Sequence, residues 1–162
     1  VDFLLAKPVS RSWIFTTKLL SVLTLIAVLN ILFIAVTMML FKGSGDELTQ
    51  SGELIWAACA LFFTQLVFMS FGIVFAIFAK KVRSVPGIAT AFGIGGFILM
   101  ALHNLLEKDV VRFIAPLNYF STEAVFLTGG YEPRYVVTAA VVFAVCLGLA
   151  LYKFLRSDTP AA

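Results

Sequence analysis

Residues 19–41 read LLSVLTLIAVLNILFIAVTMMLF and lie between Lys18 and Lys42. About 23 positions pass without a charged side chain; as an α-helix they extend roughly 35 Å, enough to cross a hydrocarbon core of about 30 Å. Outward from this stretch the pattern repeats. Leu54 to Ala79 is free of charge for about 26 positions, Ser84 to Leu106 for about 23 and Tyr135 to Tyr152 for about 18. The composition agrees: 61% of the 162 residues are apolar, 13% are charged and the mean hydropathy is +1.03, well outside the range of soluble domains. The expected fold is an all-α integral membrane protein with four transmembrane helices, near 18–41, 54–79, 86–106 and 135–153, in a single membrane domain over 1–162. No internal repeat is present.

The charges say which way the spans run. With four alternating spans, Lys7, Arg11, Lys18, Lys80, Lys81, Arg83, Lys153 and Arg156 share one side. Lys42, Lys108, Arg112 and Arg134 fall on the other, beside Asp46, Glu47, Glu53, Glu107, Asp109, Glu123 and Glu132. The positive-inside rule then puts both ends of this sequence in the cytoplasm of a multi-pass protein. The chain starts at Val1 with no cleavable signal ahead of the first span, and is expected to be part of a longer protein.

The connections are short. KGSGDELTQSGE, 42–53, has the Gly, Ser and Asp chemistry of a turn between antiparallel neighbours. In KKVRSVPG, 80–87, Pro86 suits a first helical turn and Ser84 its cap. Residues 107–134 are longer and mix charge with Val110, Val111, Phe113, Ile114, Tyr119, Phe120 and Phe126, which predicts short interfacial helices broken at Pro116 and at Gly129-Gly130. At the front, Pro8 ends any helix formed by Phe3, Leu4 and Leu5, and Ser10 can cap the helix that holds Arg11 and Trp13.

Within the spans, Asn30 and Gln65 are the strongly polar side chains far from the ends, with His103 and Asn104 near the outer boundary. Such groups either bond between helices or line a path. Gly93, Gly95 and Gly96, with Ala89 and Ala91, form small-xxx-small spacings that suit close helix packing or a flexible point in a moving helix.

Many function classes are excluded. No ionisable residue sits mid-span, against a proton- or sodium-driven carrier. One histidine cannot build a zinc site, and there is no G-x-S-x-G or pair of buried acids for catalysis. No G-x-x-x-x-G-K-[ST] is present to cradle a nucleotide. The basic residues cluster at span ends and not in a stripe, which argues for lipid contact and against nucleic acid. Cys59 and Cys146 lie in spans without a C-x-x-C or His neighbour and read as inert thiols; Met38, Met39, Met69 and Met100 are scattered and read as packing, not copper ligands.

FLLAKPVSRSWIFTTKLL, 3–20, resembles the LL-x-x-P-(small or aliphatic)-S-R segment of permease subunits of type 2 ATP-binding-cassette (ABC) transporters. APLNYF, 115–120, a Gly-containing loop, a last span and FLRSD, 154–158, are similar to the closing pattern of that family. The resemblance runs from Phe3 to Asp158. It implies that residues 1–9 form a short cytoplasmic coupling helix in a groove of a separate ATPase, with Leu4 and Leu5 as apolar contacts, Lys7 and Arg11 as the polar rim and Pro8 as the corner that passes force to the first span. It further implies no enzyme activity or cofactor in this chain, ATP and magnesium on the partner ATPase, and a second permease subunit in a homo- or heterodimer. The setting would be a prokaryotic plasma (inner) membrane. An exporter fits better than an importer, because binding-protein-dependent importers carry a longer central cytoplasmic loop. The rival reading is a non-transport accessory or assembly subunit whose opening segment contacts lipid.

Overall fold

A computed structural model describes residues 10–44, 51–79 and 84–156. Six α-helices follow one another among the described residues: α1 (Arg11–Ser44), α2 (Ser51–Phe78), α3 (Val85–Leu106), α4 (Asp109–Ile114), α5 (Thr122–Thr128) and α6 (Pro133–Arg156), with a 3₁₀ turn at Pro116–Asn118. No strand occurs among them. Four are long and apolar enough to span a membrane, over Ser12–Phe41, Gly52–Phe78, Val85–Leu106 and Pro133–Arg156. The first begins several residues ahead of the charge-free run because Lys18 is carried inside the helix.

Local chemistry fixes the helix starts. The Ser10 hydroxyl accepts from the Trp13 amide at 3.3 Å, and Ser84 accepts from the Gly87 amide at 3.2 Å with proline in the first turn, as the sequence predicts. Hydroxyls inside α1 bond back to the preceding turn, Ser21 to Thr17, Thr24 to Leu20 and Thr37 to Phe33, each at 2.8 Å. These three donors are thereby not left unpaired in hydrocarbon.

Helix α2 is the centre of the bundle, packing against α6 and α1 and, at one end, against α5 and the 3₁₀ turn. Ala58, Ala60 and Ser70 on α2 and Ala139 on α6 are buried; small residues let helix backbones approach where no hydrophobic effect drives them together. The core lies toward one end, where Ala60, Val67 and Ala139 meet Tyr119, Phe120 and Tyr135. Helix α3 stands apart, packing mainly on α4 and the 3₁₀ turn. Large apolar side chains such as Leu25, Ile31, Met39, Phe97 and Val137 point outward, the arrangement expected where lipid is the solvent.

The interfacial segment forms a cap over this end. The chain leaves α3 through Glu107 in the left-handed region (φ 51), whose amide bonds the His103 carbonyl, and enters α4 directly. Pro116 opens the 3₁₀ turn, and Gly129 ends α5 at φ 75, a conformation that glycine adopts without strain. Both predicted breaks are where the helices end.

Candidate functional site

Asn30 and Gln65 meet between α1 and α2. The Asn30 amide donates to the Gln65 side-chain oxygen at 2.6 Å and to the Ile26 carbonyl at 2.9 Å. Asn30 is only 4% exposed, and its own oxygen is buried without a partner. With both donors committed, the amide bolts two spans together.

Gly93, Gly95 and Gly96 of α3 separate by environment. A Cβ on Gly96 would lie 2.8 Å from Cζ of Phe68 and 3.5 Å from a Leu117 methyl, so this glycine is a contact point of α3 with α2 and the cap. Gly93 and Gly95 have nothing within 4 Å of such an atom. Gly95 instead borders an apolar cleft of about 720 Å³ between α2 and α3, walled by Phe68, Phe71, Phe75, Phe92 and Ile98. Phe75 and Phe92 cross it edge to face, 5.8 Å between centroids.

The strongest electrostatics are in the cap. Tyr135 is fully buried at the start of α6, with the Arg112 guanidinium 3.9 Å and the Arg134 guanidinium 5.0 Å from its ring centre. Glu132 takes Arg112 at 2.5 Å and Arg134 at 2.9 Å, and Arg134 reaches Asp109 at 3.5 Å. Arg112 also donates to the Asn118 carbonyl at 3.2 Å, and the Tyr135 hydroxyl to Asp109 at 3.3 Å. Partial burial pushes the Glu132 carboxyl up, but the two arginines outweigh it and hold it below its ordinary value. The Tyr131 hydroxyl donates to the Trp56 carbonyl; burial, then the nearby Cys59, pushes it up to about 12. Every charge here has a partner, so the cluster is a fastening for α4, the 3₁₀ turn and α6. It offers no free acid or base.

Among the described residues no group of His, Cys, Asp and Glu could hold a metal ion, and both cysteines are free and half-buried. His103 lies at the cap end of α3, its Nδ1 3.3 Å from the Lys108 carbonyl. The family model for the ABC-2 family transporter protein matches residues 1–159. The chain belongs to the ABC-2 transporter family. No curated protein and no solved structure matches it.

The ABC-2 chain is therefore a multi-pass membrane permease of an ABC transporter. Of the residues singled out in its sequence, the structure brings Asn30 and Gln65 together and separates Gly96 from Gly93 and Gly95. Leu4, Leu5, Lys7 and Pro8 lie outside the described residues, and Arg11 opens α1 with its side chain outside them. Sequence reasoning missed the cap fastening. Its one signal was the dense alternation of acid, arginine and tyrosine in YEPRY, 131–135, and an isolated EPR gives no hint of partners at Asp109 and Arg112.

Proposed function

We infer that this permease works in an ATP-driven exporter, coupled to a separate ATPase through the segment around Leu4, Leu5, Lys7, Pro8 and Arg11. The observation that carries the reading is the family match over residues 1–159, which includes that segment. Residues 1–162 carry no phosphate-cradling loop, and in this reading ATP and magnesium are bound by the partner ATPase, which carries the chemistry. Closure of two ATPases would rock a pair of permease subunits between inward- and outward-facing states. The basic end, with Lys18, Lys153 and Arg156, faces the cytoplasm, and the cap faces outward, following the positive-inside rule. The short connection from Ala79 to Ser84 supports export over import, since it leaves no room for a central coupling loop.

In this reading Asn30 and Gln65 act between helices and do not line a path. Their hydrogen bond would carry motion received at the start of α1 into α2, and from there into α6, against which α2 packs.

The test is the double substitution Leu4→Asp with Leu5→Asp in the full-length protein. The expected result is normal membrane insertion, loss of ATPase co-purification and loss of ATP-dependent transport. Retention of both partner binding and transport would overturn the coupling assignment.

A further inference from the structure

The end of the bundle where α1 begins and α2 and α6 finish holds a small pocket of about 250 Å³. Phe15, Lys18 and Val22 of α1, Ile73 and Ile77 of α2 and Phe154 of α6 line it. Phe15 and Phe154 close one side, 5.5 Å between ring centres. Apart from Lys18 the walls are hydrocarbon, and their depth along α1 runs from Phe15 to Val22, about two turns.

Among the described residues the charge around this pocket is positive. Lys18 is in its wall, and Lys153 adjoins Phe154 with Nζ 6.0 Å from the Phe78 ring centre. Among the described residues none of these lysines has an ion-pair partner, and every described carboxylate, Glu53, Glu107, Asp109, Glu123 and Glu132, belongs to the opposite, cap end. The cap shows what this chain does with arginines that are to be neutralised internally: it surrounds them with acids. Among the described residues no acid lies at this end to neutralise the lysines.

We propose that this pocket is a binding site for an anionic phospholipid of the surrounding bilayer, which places part of one acyl chain between Val22 and Ile73 and its phosphate on Lys18 and Lys153. Hydrocarbon below and cationic donors at the rim match the two halves of such a lipid in the order in which it lies in a membrane. A flexible lysine that keeps its stem on apolar surface and its ammonium at the interface is suited to that role. The same geometry gives a zwitterionic lipid the hydrocarbon contact without the net charge. This site is independent of any ATPase.

Native mass spectrometry of the full-length protein, released from mild detergent with phosphatidylglycerol or phosphatidylcholine of identical chains, tests it. Phosphatidylglycerol should bind more tightly, and Lys18→Gln and Lys153→Gln should each cut its affinity about fivefold while leaving phosphatidylcholine unchanged. Ile73→Trp, which fills the pocket, should remove both lipids. Arg156→Gln removes a charge of the same sign that stacks on Tyr152 at 4.6 Å, outside the pocket, and should leave the preference intact. Equal binding of the two lipids to the unaltered protein would overturn the site, as would an equal loss in the Arg156 and Lys18 variants, which would mean diffuse attraction. The lysine variants stay informative if Ile73→Trp fails to fold, because both lysines are exposed. None of these outcomes bears on capture of the ATPase, so failure here and failure of the coupling reading are distinguishable.

Discussion

Gly93 and Gly96 are three residues apart in α3 and have opposite surroundings. Adding a methyl at Gly96 drives it into the Phe68 ring, so Gly96→Ala should cost about 1–3 kcal/mol, and Phe68→Leu should recover part of that loss because the two sites share one contact. Gly93→Ala should be neutral or stabilise by up to about 1 kcal/mol, since the helix gains propensity and nothing is struck. Thermal unfolding in detergent reads both. At Asn30 the relevant quantity is a single interhelical hydrogen bond, so Asn30→Leu should destabilise by roughly 0.6–1.7 kcal/mol. It should be non-additive with Gln65→Leu. Sequence alone identified these as the unusual residues of their spans. It could not sort the glycines or pair the amides, because both depend on which face of one helix meets which face of another.

At the scale of elements, the cap is held by charge where the spans are held by shape. Arg112 joins three pieces of chain at once, through Glu132, the Asn118 carbonyl and the Tyr135 ring. Arg112→Met keeps much of the bulk and removes all three polar links, and should cost roughly 3 kcal/mol because Glu132 loses a partly buried partner. The pH dependence follows from Glu132. Its carboxyl is held below the ordinary 4.5, so its contribution to stability is fully present above that value and is lost as pH falls through the lowered one. Melting scans between pH 3 and 7 should show an acid decline that is shallower in Arg112→Met. The helical content of this segment was legible from Pro116, Gly129 and the mixed composition, and so were the Ser10 and Ser84 caps. The ion pairs were not, since Asp109 and Arg112 come to Glu132 and Arg134 only after the chain has passed through the 3₁₀ turn and α5.

Across the whole molecule, α1, α2 and α6 form one packed unit, and α3 joins it chiefly through the cap, with the apolar cleft alongside. Amides of α3 should therefore exchange with deuterium faster than those of α2 and α6 in the same detergent preparation, with the slowest exchange near Val67 and Ala139. Equal protection of all four spans would mean that α3 is held more firmly than its contacts indicate. The charge-free stretches also differ in length: about 25 positions of α2, Leu54 to Phe78, give roughly 38 Å, whereas about 18 of α6, Tyr135 to Tyr152, give roughly 27 Å. No single bilayer thickness matches both when they stand upright. A membrane that suits α6 obliges α2 to lean, and a thicker one lets it straighten, so hydrophobic mismatch should act as a torque on α2. The Asn30–Gln65 bond fastens α1 to that lever, so the tilt of α1 should follow the thickness of the surrounding lipid.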